Sequence, residues 1–368
     1  MADPADAPVP PWPEPRRRSP REPWPRRASA TTALLTVLLL VGCSEPAPRH
    51  EPTAPGRRLL AAGQQSGFRV AGLDPDSPDA LADFRRDVDR LVALHQQWIR
   101  YDVPSWVIAP RGTATTIEWD DAAVEEQREA IRYAKSRGLK VMIVTSGAPD
   151  WSARFTTEEY VAASRRYWAG LREAVGPWVD VWQVFNEADT THHRTFTKVS
   201  PTPAYLEQLR TLLGVARDVL AGGDGGRPIT TNVTGWPCDA AAARRWQSYF
   251  SVLGEYLDVV SVDAYPGTDS ALVGALPGHL AELARETGRP VYLTEFGLQT
   301  APGTFSAAQQ ERAYLELLAA VAHAEVPVVL AYELRDTERP HAPAGFGILT
   351  AQGQPKPGYP AVAAAMGG

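Results

Sequence analysis

Cysteine is almost absent: the 368-residue chain has two, Cys43 and Cys238. Two thiols exclude a disulfide framework, and with no C-x-x-C pair and no His-rich spacing a structural zinc site is excluded as well. Long apolar runs are missing too. The run over residues 33–42 covers about ten positions, short of the roughly 18 that a membrane-spanning helix needs. Positive charge does not dominate: the net charge is −6, with six arginines against four acids in residues 1–42, so the remainder is more acidic still. That balance favours neither nucleic acid nor anionic lipid as a ligand. Sequence repeats are lacking beyond an alternation of strand-like and helix-like segments, and Cys238, after Trp236-Pro237, reads as a plain loop or packing residue.

What the chain does have is the stretch Val181-Trp182-Gln183-Val184-Phe185-Asn186-Glu187-Ala188-Asp189, an apolar run that stops at an amide and a carboxylate. Val181, Trp182, Val184 and Phe185 suit a strand packed on both faces, as in a parallel sheet. A second stretch of the same design, Val291-Tyr292-Leu293-Thr294-Glu295-Phe296-Gly297, puts another glutamate at the end of another apolar strand. Further strand-like segments fall at 67–73, 97–103, 139–145, 229–234, 257–266 and 328–333. Helical spacing between them occupies 78–95, 124–137, 158–175, 203–220, 276–287 and 307–324. Such alternation predicts an α/β fold, a single (β/α)8 TIM barrel, in which chemistry sits at the C-terminal edge of the strands. The 11 Trp and 12 Tyr lean toward carbohydrate, because sugar rings present C–H faces that pack on aromatic planes. An ordinary core accounts for most of them, so only those on strand-end loops carry functional weight.

The order W-x-V-F-N-E, then L-T-E-F-G about a hundred residues later, resembles the retaining glycoside hydrolases of clan A, and families 5 and 39 look nearest. The resemblance spans about residues 67–365. It implies cleavage of O-glycosidic bonds, β-linked, by double displacement, with Glu187 as general acid/base and Glu295 as nucleophile. Asn186 would donate to the sugar 2-hydroxyl, while Arg100, ending the second strand, and Tyr265, after the sixth, would hold the nucleophile. Trp151, Trp236 and Tyr332 are candidate substrate contacts on loops after strands three, five and eight. The chemistry needs no metal and no cofactor, and the partner it implies is an oligosaccharide or polysaccharide met by a monomer. Three positions depart from the family pattern: Ala188 where many relatives have Pro, Asp263 where many have His, and Tyr332 where Trp is frequent. They leave the sugar open. Two other readings also stay open: a carbohydrate-binding lipoprotein on an inactive barrel, and a cell-surface transglycosylase.

Ahead of the catalytic segment, residues 1–30 are rich in Pro and Arg without apolar periodicity, a composition that cannot offset the entropy of ordering. The apolar run 33–42 then fits a signal-peptide core. Leu40-Val41-Gly42-Cys43 resembles a bacterial lipobox, which implies cleavage before Cys43, lipidation there, and a protein tethered to the outer face of the cell membrane. A plain secretory signal with an incidental cysteine is the alternative, and Arg26-Arg27 permits twin-arginine export only as a poor match. The expected division is therefore lead and signal at 1–42, linker at 43–65, and catalytic domain at 66–368.

Overall fold

The computed structural model describes residues 58–75, 77–194, 198–222, 226–235, 240–337 and 345–367. The signal run, Cys43, Trp236 and Cys238 lie outside the described residues. Eight parallel strands form the barrel expected from the alternation. The sheet runs from Ile229–Thr230 through Val181–Val184, Lys140–Thr145, Trp98–Asp102, Gln65–Val70, Val328–Ala331, Val291–Glu295 and Val260–Asp263 to Asn232–Thr234. Its two ends are consecutive in the chain, separated only by Thr231, so they are one interrupted fifth strand and the barrel closes. Closure leaves no open edge to pair with another chain.

Local signals account for most of the surrounding helices. Thr157–Val175 starts on a capping box between Thr156 and Glu159, and it buries Tyr160, Ala163, Tyr167, Trp168 and Leu171 at three- and four-residue spacing, one stripe of an amphipathic helix. Asp121–Ser136 starts on Asp120, whose carboxylate accepts from the Ala123 amide at 3.0 Å. Two helices differ from expectation. Ala240–Leu253 was not foreseen, although Trp246, Tyr249, Phe250 and Leu253 are buried at helical spacing; the polyalanine start carries no periodicity. Ser270–Thr287 begins six residues early and contains Pro277, which reads as a start signal in sequence. Asp269 supplies the real cap, accepting from the amides of Ala271 and Leu272 at 2.9 and 3.3 Å. A small hairpin, Arg111–Gly112 with Ile117–Glu118, stands outside the barrel on the loop after the second strand.

Apolar burial falls into two sets. The larger lies between sheet and helices. The smaller is inside the barrel, where Trp98, Met142, Val181, Val328 and Leu330 pack together with Tyr292 against them. All but Met142 and Leu330, each third in its strand, come from the first or second residues, so they floor the interior at its N-terminal end. The closing helix Tyr359–Met366 covers that end: the Ser66 hydroxyl donates to the Met366 carbonyl at 3.0 Å, and the Leu59 amide to Ala365 at 2.9 Å. Among the described residues no helix is long and apolar enough to cross a membrane.

Candidate active site

The second, fourth and seventh strands each carry a polar residue two positions beyond their floor residue, because alternate residues share a face. Trp98 is followed by Arg100, and Val181 by Gln183. Arg100 is buried, and its guanidinium makes three bonds: to Gln183 Oε1 at 2.8 Å, Glu295 Oε1 at 2.5 Å and Asn186 Oδ1 at 2.6 Å. The second oxygen of Glu295 accepts a short bond from the Tyr265 hydroxyl. Both oxygens of this buried carboxylate are therefore held by donors, an arrangement that favours the ionised form. Burial first, and then the charge of Glu295, push the Tyr265 hydroxyl well above its usual range.

Glu187 is held differently. Its carboxyl is buried. Loss of solvent, and next the negative charge of Glu295, push its pKa up to about 8, while the Thr234 hydroxyl works the other way. One oxygen each from Glu187, Glu295 and Asp263 lies within 4.8 Å of the others. Two carboxyls so close cannot both ionise cheaply, and of the two it is Glu295 that Arg100 bonds. The same cluster fits a cation poorly: Glu295 has a donor on each oxygen, and Asp263 accepts from Asn232 Nδ2 and, at 2.7 Å, from Thr294 Oγ1.

The backbone at this point is unusual. Phe185 and Glu187 have φ of 67° and 49°, in the left-handed region that side chains other than glycine rarely enter. Two bonds hold these residues. The Phe185 amide donates to the Thr145 carbonyl at 2.7 Å, and the Glu187 amide to Asn232 Oδ1 at 2.8 Å. Asn186 Oδ1 accepts from Arg100, from Gln183 at 3.2 Å and from Asn232 at 3.1 Å, which fixes its amide orientation and leaves the NH₂ group to donate outward. Asp189, fully buried with its pKa pushed up to about 7 by burial, accepts from the Thr234 amide at 3.0 Å and Arg245 at 3.3 Å. It thereby locates the residue whose hydroxyl meets Glu187.

The structure brings Arg100, Asn186, Glu187, Tyr265 and Glu295 together. Tyr332 lies nearby on the rim, buried edge-to-face against Phe346 at 5.5 Å, with Arg69 5.4 Å over its ring. Trp151 is half-buried. Its indole N–H donates to the Ala109 carbonyl at 2.9 Å, and Phe155 meets its ring, so it ties two rim loops together. Sequence reasoning missed Gln183, Asn232 and Thr234, and saw Asp263 only as a departure from pattern. A buried polar residue inside an apolar strand was the available signal.

No family model matches the chain, and no curated protein matches it. Solved structures do. A β-glycosidase matches at TM-score 0.63 with 15% identity, over 83% of this chain and 96% of that one. The fold is shared with solved β-glycosidases. GH5_18 from Streptomyces cattleya, in complex with GlcNAc, matches at TM-score 0.63 and 21% identity over 84% of this chain and 80% of that one. β-Glucosidase 2 from the fungus Trichoderma reesei matches at 0.62 and 15% identity, over 83% and 98%. At such identities the likeness establishes the (β/α)8 barrel fold and leaves activity to be argued from the site.

Proposed function

We propose that the chain is a retaining glycoside hydrolase acting on a β-linked sugar. One observation carries the reading: two buried carboxyls face each other within 4.8 Å at the strand ends, one held by Arg100 and Tyr265, the other driven toward its protonated form. Retaining enzymes separate their carboxyl groups by about 5–5.5 Å and inverting enzymes by about 6.5–9.5 Å, and an oxygen-to-oxygen approach within 4.8 Å is in line with the closer pair. The β-configuration is supported by the names of the solved β-glycosidase and β-glucosidase of the same fold.

The division of labour follows from the two environments. Glu295 attacks the anomeric carbon while Glu187 gives its proton to the departing oxygen, so the glycosidic bond breaks as the glycosyl ester forms. The charge on Glu295 is then lost, which removes the repulsion that kept Glu187 protonated. Glu187, left ionised by that donation, therefore stays so, takes a proton from water as that water attacks, and Glu295 departs with its charge restored. Asn186, with its oxygen occupied by three donors, presents its NH₂ group to the sugar 2-hydroxyl, a contact that tightens as positive charge develops. Trp151, half-buried, would offer ring surface to a neighbouring sugar, Tyr332 is buried and would act only from behind the rim, and Trp236 belongs to the same proposal from its loop.

The test is hydrolysis of a panel of aryl β-glycosides and of plant, fungal and bacterial polysaccharides by the purified protein, with the product configuration read by NMR before mutarotation. A β-product establishes retention. Binding without any turnover would point instead to a carbohydrate-binding protein on an inactive barrel, and diversion of the intermediate to added sugar acceptors to a transglycosylase. The lipobox-like segment supports a tether at Cys43. On that reading the protein partitions into detergent and Cys43→Ser abolishes the partitioning; equal solubility of both forms would rule the tether out.

A further inference from the structure

Asp263 is the third carboxylate of the site, and the double displacement does not use it. It is fully buried at the end of the sixth strand. Its two bonds come from neutral groups, Asn232 Nδ2 and Thr294 Oγ1, while the Arg100 donors go to Gln183, Glu295 and Asn186. The charged and titratable groups facing it are Glu295 on the seventh strand, Arg100 on the second, Glu187 on the fourth and Tyr265 just beyond its own strand. Burial, and then the charge of Glu295, hold its carboxyl well above the usual range. Thr294 Oγ1 lies 2.7 Å from Asp263 Oδ1 and 3.3 Å from the Val262 carbonyl.

The consequence falls on Asn232. A side-chain amide has a donating end and an accepting end. Because Asp263 accepts, Asn232 Nδ2 faces it, and Oδ1 is turned to the Glu187 amide 2.8 Å away. That amide belongs to a residue at φ 49°, a conformation that persists only where surrounding bonds over-determine it. We infer that Asp263 is a positioning residue for the acid/base: it fixes the orientation of the Asn232 amide, and through it the backbone conformation that aims Glu187. The inference rests on Glu187 being the acid/base. It also makes residues 232 and 263 a matched pair. A donor at 263, such as the histidine found at this place in many relatives, would reverse Asn232 and set its NH₂ group against the Glu187 N–H.

The test uses the full chain with Asp263→Asn, Asp263→Ala, Asp263→His and Asn232→Ala, and alkyl and dinitrophenyl β-glycosides of the sugar that the wild type accepts. Asp263→Asn can still accept from Asn232, so kcat/KM and its pH profile should stay close to wild type. Asp263→Ala and Asp263→His should lose about 10²-fold or more on the alkyl glycoside, which needs a proton on its leaving oxygen, and much less on the dinitrophenyl one. The double variant Asp263→Ala/Asn232→Ala should be no worse than the poorer single, as expected for residues acting as a unit. A readout without turnover is the Asn232 side-chain NH₂ pair in a ¹H–¹⁵N spectrum, assigned by its loss in Asn232→Ala. It should exchange slowly in wild type and Asp263→Asn, and quickly in Asp263→Ala and Asp263→His. Equal losses on both leaving groups, Asp263→Asn as damaging as Asp263→Ala, or an Asn232 signal indifferent to residue 263 would each overturn the inference. Should no glycoside be cleaved even by wild type, the acid/base reading fails, and the Asn232 signal still decides whether Asp263 orients the amide.

Discussion

The interior of this barrel has two levels built from the same strands, an apolar floor and a charged mouth. Trp98 and Arg100 sit two residues apart on one strand, as do Val181 and Gln183 on another, yet the first of each pair fills space and the second belongs to a network. The floor tolerates no polarity because the helix Tyr359–Met366 seals it from water. The mouth keeps three buried carboxylates because each oxygen of Glu295 and Asp263 meets a donor. The floor thus contributes stability, and the mouth uses some of it to hold groups that would be more stable in water.

This contrast predicts that substitutions at the two levels fail in different ways. On the proposed roles, the largest effect should come from Glu295→Ala, which would remove the group assigned to bond the anomeric carbon; activity on natural substrates should be lost. Azide should then attack the vacated face and give an α-glycosyl azide. Next is Glu187→Ala, with a loss of about 10²–10⁴-fold on alkyl glycosides, a spared first step on dinitrophenyl glycosides, and rescue by azide to a β-glycosyl azide. Azides of the opposite configurations would mean that the two roles are reversed.

At the floor, Trp98→Ala should lower stability by about 3–5 kcal/mol in urea titration without moving the pH profile of whatever folded enzyme remains. In the wild type, kcat/KM should fall on the basic side near pH 8, as Glu187 loses the proton that it must donate. A floor variant that shifted this limb would erase the distinction between the levels. The smallest effect concerns stability against pH. The Glu187 carboxyl has its folded pKa raised to about 8 from an ordinary 4.5, so the folded state binds the proton more tightly than the unfolded chain. Stability contributed by the neutral form is present below pH 4.5 and is lost as pH rises toward 8. Glu187→Gln should therefore raise Tm at pH 8 and leave it nearly unchanged at pH 4.5; equal gains at both would assign the effect to packing.

Much of this was legible in the residues themselves. Period-two and period-3.6 patterns report local geometry, so all eight barrel strands and most helices could be placed from the chain, and Glu187 and Glu295 stood out as acids ending apolar strands. The failures were of two kinds. Pro277 misled because a proline that reads as a helix start lies inside Ser270–Thr287, and the polyalanine start of Ala240–Leu253 misled because it carries no apolar periodicity. Asn232 and Thr234 were passed over because a polar residue in a strand has no distinguishing neighbour in sequence; its partners are 31 to 46 positions away in Asp263, Glu187 and Asn186.

Sequence alone determined the alternation, the closed barrel it demands, and the two glutamates at strand ends. Only the tertiary structure decided which glutamate keeps its charge. That choice depends on a guanidinium from the second strand reaching the seventh, on a hydroxyl from the end of the sixth, and on how much water is excluded around each carboxyl. Those are distances across a barrel mouth, set when eight strands close, and electrostatic energies in a buried site depend on such distances and on the local dielectric.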